Sequence, residues 1–146
     1  MDLTEMAGHL VRRLHQISTT TFYQHVKDAG YDITPVQFAA MHALSMNPDI
    51  EQAQVSALIA YDRATIGGVI DRLEQKGYIS RSVSSKDKRA RVCRLSSEGQ
   101  KVIQLISPIV ESLQHEILCG LDEHEYQQFM ALAQKAVNYT NQPEQD

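Results

Sequence analysis

The sequence contains no tryptophan and only three phenylalanines and six tyrosines, so aromatic residues make up 6% of the chain. That scarcity argues against an aromatic cage for a cationic ligand and against a stacking platform for single-stranded nucleic acid, both of which need several presented rings. No apolar run approaches the roughly 18 residues that would span a bilayer, and the opening MDLTEMAGHL lacks the basic-then-apolar order of a secretory signal. No membrane partner is therefore expected, and the cytoplasm is the expected compartment. The two cysteines, Cys93 and Cys119, fall outside any CxxC spacing and are expected to remain thiols in a reducing compartment. Six scattered histidines, with no G-x-S-x-G and no phosphate-cradling glycine loop, leave catalysis without a motif. The chain reads as a non-enzyme, with no cofactor and no metal expected.

The 146 residues suit a single domain, and 42% hydrophobic content is enough to bury a core. The net charge of -4 conceals an asymmetry. Residues 61–101 carry ten basic and five acidic side chains, a local +5 that leaves -9 for the remainder. A positive centre between negative flanks is the distribution expected when one module meets a polyanion, although a solvated charged face gives the same count.

Periodicity divides the chain into helices and one hairpin. Leu3, Met6, Leu10, Leu14 and Ile17 recur at helical spacing toward a stop at Asp28-Ala29-Gly30, with Thr19 to Thr21 expected to bend or fray the later part. Thr34-Pro35 supplies an N-cap and a proline at the first helical position for a second helix, which turns Phe38, Ala39, Met41 and Ala43 inward and stops at Asn47-Pro48. Residues 51–59 place Val55, Leu58 and Ile59 on one face; a three-residue break at Ala60-Tyr61-Asp62 follows. The next helix, with Asp62 as its expected cap and Gly77 as its end, repeats the pattern in Ile66, Val69, Ile70 and Leu73. Two short helices joined this way form a helix-turn-helix, the second helix being the one that enters a DNA major groove. Its outer face would carry Arg63, Ala64, Thr65, Gly67, Gly68 and Arg72, a small, polar and basic surface.

Tyr78 to Val83 and Arg91 to Leu95 then alternate like strands around the polar, basic stretch from Ser84 to Ala90. A hairpin with a basic tip beside a helix-turn-helix is a winged helix. Lys86, Lys88, Arg89 and Arg91 would reach phosphates, and an arginine at such a tip can enter a narrow minor groove.

The stretch Asp62 to Gly99, DRATIGGVIDRLEQKGYISRSVSSKDKRARVCRLSSEG, resembles the MarR family of bacterial transcription regulators, above all in Asp71-Arg72-Leu73-Glu74, Lys76-Gly77, Asp87-Lys88-Arg89, Leu95-Ser96 and Gly99. The resemblance implies a mainly α chain with a small β-hairpin wing, in which a winged helix-turn-helix over 34–99 lies between dimerisation helices at 1–30 and 100–140. A polar tail, 141–146, closes the single MarR-like chain of 1–146. It also implies that Arg89 is the minor-groove arginine, that Asp87 holds the wing through an ion pair, and that Arg63, Thr65 and Gly67 lie at the DNA-facing start of the recognition helix. Gly68 and Ala64 depart from the larger, often basic residue and the hydroxyl that many members carry there, so base preference does not transfer.

The terminal segments suit this architecture. Val102, Ile103, Ile106, Ile109, Val110, Leu113 and Ile117 make a long apolar face, with Pro108 expected to kink the helix or remove one hydrogen bond. A last helix capped near Asp122 offers Phe129, Met130, Leu132, Ala133 and Val137. That is more apolar surface than a small winged helix covers, so a homodimer is expected, reading a pseudo-palindromic operator in double-stranded DNA. His9 and Arg13 share a helical face, as do Phe38 and His42. The resemblance implies a cleft enclosed by the first two helices and the helix after the wing, in which many members bind small aromatic or phenolic acids. A guanidinium and two imidazoles would suit such a carboxylate effector, releasing a repressor from its operator. The alternatives are a metal-responsive regulator using His115 and Cys119, four apart, with Glu116 or His42; a thiol-responsive one using Cys93, its pKa lowered by Arg91 and Arg94; and a helical interaction module without DNA binding. The peroxide-sensing branch of the family carries its reactive cysteine near the start of the chain, where this sequence has none.

Overall fold

The computed structural model describes residues 1–139; the expected polar tail, 141–146, lies outside the described residues. A 3-10 turn at Leu3–Glu5, held by a capping box between Asp2 and Glu5, leads into helix α1 (Ala7–Asp28). The helix runs unbroken through Thr19 to Thr21, where the sequence suggests a bend. Phe22 and Val26, buried in the next turn, anchor it there, and packing of that kind outweighs a few tenths of a kcal/mol of β-branched propensity. Gly30, at φ +86°, turns the chain out of the helix, a conformation that costs glycine nothing.

Helix α2 (Pro35–Met46) starts as its sequence suggests. The Thr34 hydroxyl accepts from the Gln37 N–H at 3.1 Å, and the Gln37 side-chain oxygen accepts from the Thr34 N–H at 3.1 Å. Met41 and Ala43 are buried, whereas Phe38 and Ala39 are half-buried. A two-residue strand, β1 (Ile50–Glu51), precedes α3 (Gln52–Leu58) and is too short to leave an alternation in the sequence. In α3 Val55 is buried and Ile59 half-buried just beyond, but Leu58 is exposed, contrary to expectation.

The linker to α4 (Ile66–Gln75) is also longer than expected, running from residue 59 to residue 65. Asp62 builds this linker and does not cap α4: its carboxylate accepts from the Ala64 N–H at 3.0 Å, while its carbonyl accepts from the N–H groups of Thr65 and Ile66. Helix α4 buries the anticipated Ile66, Val69, Ile70 and Leu73, and Gly77, at φ +77°, follows its end.

Strands β2 (Ile79–Val83) and β3 (Arg91–Leu95) pair antiparallel with Arg81 opposite Cys93, and β1 adds to the far edge of β3 through Ile50 opposite Cys93. The sheet order is therefore β1-β3-β2. Helix α5 (Ser97–Ile117) packs along α1 and continues through the exposed Pro108 without a break. Helix α6 (Glu123–Tyr139) is capped by Asp122, whose carboxylate accepts from the Glu125 N–H at 2.9 Å. These six helices and three strands, counted among the described residues, form a winged helix-turn-helix flanked by terminal helices.

One core runs through the winged helix and the long helices, from Val26 and Met41 through Ile70 and Leu73 to Ile106 and Leu113. Helix α6, by contrast, buries none of its residues, and Leu10, Val11, Leu105 and Leu132 stand exposed on α1, α5 and α6. Among the described residues no helix is long and apolar enough to cross a membrane.

Candidate nucleic-acid interface

The linker built by Asp62 presents Arg63, Ala64 and Thr65 to solvent, ahead of the helix and not on its first turn as the sequence suggests. Thr65 turns its hydroxyl back to donate to the Asp62 carbonyl at 3.2 Å. Gly67 and Gly68 follow on the first turn of α4, and Arg72 is exposed one turn later. A glycine inside a helix costs about 1 kcal/mol relative to alanine, so each needs a reason. At Gly67 a methyl group would meet the Gln52 amide at 3.3 Å; at Gly68 nothing among the described residues outside the helix itself stands within 4 Å. Nothing among the described residues therefore requires glycine at 68.

The wing tip, 84–90, is ordered by side chains of its own. The buried Ser84 hydroxyl accepts from the N–H groups of Lys86 and Asp87 at 3.2 and 3.4 Å. The Asp87 carboxylate accepts from the Arg89 N–H at 2.9 Å and lies 3.7 Å from the Arg89 guanidinium, while the Ala90 N–H donates to the Asp87 carbonyl. Asp87 thus organises the tip chiefly through the backbone, leaving the Arg89 side chain 95% exposed. Arg63, Arg72, Lys86, Lys88 and Arg91 form no ion pair among the described residues. Three other basic groups of the 61–101 segment do meet carboxylates: Arg94 meets Asp49 at 2.8 Å, Lys101 meets Glu98 at 3.9 Å, and Lys76 meets Asp32 at 3.9 Å. Positive charge is left uncompensated on the face shared by the helix and the wing, and a polyanion lowers its free energy most there.

Arg81 is the exception on that side of the molecule. From the middle of β2 it donates to Asp71 at 2.5 Å and Glu74 at 3.1 Å, both on α4, and reaches the Gln52 amide of α3 at 3.4 Å. Its hydrogen bond holds the Glu74 carboxyl below the usual carboxylate range, and in return Glu74 and Asp71 push the guanidinium pKa up. Sequence reasoning missed this cluster. Arg81 is one basic residue among ten in its segment, and its partners depend on how β2 folds back along α4.

The residues suggested for an effector are only partly brought together. Phe38 and His42 stack at 5.7 Å, and Phe38 also meets Phe22 at 6.1 Å. His42 lies at the edge of a cleft of about 620 Å³ between α2 and α5, lined also by Ser45, Arg94, Leu95, Ile103 and Gln104. His9 instead takes a hydrogen bond from Arg12 at 3.2 Å, and Arg13 lines a separate shallow surface of α1 with Gln16, Ile17, Thr20 and Thr21. The guanidinium in this chain's own cleft is that of Arg94, which the sequence suggests as a neighbour of Cys93 and not as an effector ligand.

Residues 31–90 match the MarR family. The transcriptional regulator HosA of Escherichia coli O127:H6 is 33% identical over 138 residues, covering 94% of this chain and 99% of HosA. The chain belongs to the MarR family. Among solved members, BpsR of Bordetella bronchiseptica, whose DNA binding is regulated by 6-hydroxynicotinic acid, superposes with a TM-score of 0.86 at 27% identity, over 94% of this chain and 96% of BpsR. The PcaV transcriptional regulator of Streptomyces coelicolor, in complex with its natural ligand, gives a TM-score of 0.86 at 28% identity over the same shares. This chain is a MarR-family transcriptional regulator.

A thiol-responsive form of the MarR scaffold would need an ionisable cysteine. The sequence suggests a lowered pKa at Cys93 from Arg91 and Arg94, but the structure reverses this. Cys93 is buried between β1 and β2, both neighbouring arginines point outward, and burial pushes the thiol up to about 11. Folded protein near pH 7 is therefore expected to label with a thiolate-seeking reagent at the exposed Cys119 and not at Cys93. Mass spectrometry after a timed pulse measures this, and fast labelling of Cys93 would contradict the burial. A metal-responsive form fares no better. His115 stacks on Tyr126 at 4.4 Å, Glu116 binds His25 at 2.6 Å and His42 stacks on Phe38, so the suggested ligands face different neighbours. Among the described residues no three His, Cys, Asp or Glu side chains gather closely enough to hold an ion.

Proposed function

We propose that this MarR-family regulator is a non-enzymatic, dimeric repressor that binds a pseudo-palindromic operator in double-stranded DNA and is released by a small aromatic or phenolic carboxylate. The observation that carries the DNA reading is the positive face of Arg63, Arg72, Lys86, Lys88 and Arg91, in no ion pair among the described residues, together with the 95% exposed Arg89, spread over α4, the linker before it and the wing, which fit adjacent grooves. Gly68 supports it, because a bare helix surface lets the backbone approach another body closely. Pairing of two copies is supported by α6, none of whose residues is fully buried, and by the exposed Leu10, Val11, Leu105 and Leu132.

The effector reading is supported by the cleft at His42 and by the aromatic acid that regulates BpsR. Arg94 can hold a carboxylate if it gives up Asp49, and His42 can bond a ring hydroxyl or nitrogen. His9 and Arg13, exposed or half-exposed on α1, are open to contribute from a second copy.

The test starts by selecting duplexes from a random pool with the full chain. A pseudo-palindrome with half-sites about one helical turn apart is expected, with steeply salt-dependent affinity and loss of binding when five base pairs are inserted between the half-sites. Failure to enrich any duplex removes the DNA reading. Hydroxylated aromatic carboxylates, 6-hydroxynicotinic acid among them, are then titrated against the complex and the best repeated with His42→Ala and Arg13→Ala. Release unaffected by both substitutions places the effector elsewhere.

A further inference from the structure

Two DNA-directed elements lie on either side of the Arg81 cluster. Helix α4 carries Arg72 outward, and the wing between β2 and β3 carries Lys86, Lys88 and Arg89. The wing is a two-stranded ribbon with a short third strand at one edge, and such ribbons twist easily when nothing holds them. Arg81 lies at the centre of β2, opposite Cys93, and its guanidinium spans to Asp71 and Glu74 one turn apart on α4 and to Gln52 on α3. One planar group thereby ties the wing to both helices of the helix-turn-helix. It is mostly shielded from solvent, with 23% of its side chain exposed, so the bonds are less weakened by water than those of a surface pair.

We propose that Arg81 is a positioning residue for DNA recognition: by clamping β2 to Asp71 and Glu74, it sets the angle between the recognition helix and the wing so that Arg72 and Arg89 meet their grooves together. The inference rests on the DNA-binding reading. Its energetic logic is preorganisation. A wing held at the right angle loses little freedom on binding, whereas a loose wing must be ordered at the expense of the Arg89 contact.

Charge and position make opposite forecasts. Asp71→Asn with Glu74→Gln removes two negative charges from the helix that faces DNA, so a purely electrostatic account requires tighter binding to every duplex. If Arg81 positions the wing, affinity for the selected duplex falls about tenfold at fixed salt while affinity for a scrambled duplex stays level or rises, narrowing the ratio between them. The second readout is a cycle with Arg89→Ala. In the parent chain that substitution is expected to cost tenfold or more; in an Arg81→Met background it should cost no more than about twofold. Both altered carboxylates are exposed at the surface, and thermal unfolding establishes that each variant remains folded; should Arg81→Met unfold, Arg81→Lys takes its place in the cycle. Equal Arg89 penalties in both backgrounds, or tighter binding of the selected duplex by the carboxylate variant, overturn the positioning role and leave the DNA reading intact. A parent chain that selects no duplex overturns both.

Discussion

Gly99→Ala is expected to destabilise the chain by more than about 3 kcal/mol, lowering the midpoint of thermal unfolding by roughly 10 °C or more. Gly99 is buried in the first turn of α5, where the backbone runs against the chain leaving α4. The contact is fastened on both sides. The Ser96 N–H donates to the Tyr78 carbonyl at 3.0 Å, the Ser96 hydroxyl donates to the Gly77 carbonyl at 2.5 Å, and the same hydroxyl accepts from the Gly99 N–H at 3.0 Å. A Cβ at 99 would overlap the Tyr78 carbonyl oxygen and stand 2.9 Å from its carbon. Those are backbone atoms, which cannot swing aside as a flexible side chain would. To make room, α5 must move off the Gly77-Tyr78 turn and give up the cap, and the core residues Val102 and Ile103 in the following turn move with it. Gly68→Ala is the comparison, since a methyl there meets nothing among the described residues and helix propensity alone should hold or raise stability. Urea unfolding of both variants beside the parent measures the difference, and a Gly99→Ala chain within about 1 kcal/mol of the parent would contradict this packing.

Arg89→Ala is expected to weaken binding of the selected operator by about 1 to 3 kcal/mol at fixed salt, or some tenfold to more than a hundredfold. The side chain is 95% exposed while its own N–H is fixed by Asp87 at 2.9 Å, so the tip is ordered and the guanidinium remains available. An arginine presented this way gains most in a narrow minor groove, where the negative potential is enhanced and water is displaced. Lys88→Ala serves as the contrast. A phosphate contact carries little sequence information, so its loss should weaken operator and scrambled duplexes alike and make the salt dependence shallower. Operator affinity unchanged by Arg89→Ala would mean that the wing does not read DNA.

Much of this arrangement is legible along the chain because its determinants are local. The cap and proline at Thr34-Pro35, the apolar stripe Ile66, Val69, Ile70 and Leu73, and the alternation on either side of the wing act within one turn or one strand. The basic residues of the interface are visible for the same reason, since exposure on a short helix or a hairpin tip follows from periodicity. Where local signals conflicted with distant contacts, the contacts prevailed. The threonine run stays helical beside the buried Phe22, and Asp62 builds a linker in which Ala60 adopts φ +51°, costing roughly 1–2 kcal/mol that neighbouring packing must offset. Leu58 belongs to the apolar pattern of α3 yet remains exposed, because helical spacing gives a face without saying where the surrounding core ends.

The sequence by itself determined the elements, their polarity and the location of the positive charge, because each depends on residues within a few positions of one another. Tertiary structure alone decided which charges are consumed and which remain free. Arg81 and Arg94 are as basic as Arg72 and Arg89 in the sequence, but β2 brings Arg81 onto α4 and β3 brings Arg94 beside Asp49, while the helix and the wing tip carry the other two outward. Tertiary structure likewise raised the Cys93 thiol by burying it between strands, where two nearby arginines in sequence would lower it. A charge or a thiol takes its properties from the solvent and partners around it, and these are set by contacts between segments far apart along the chain.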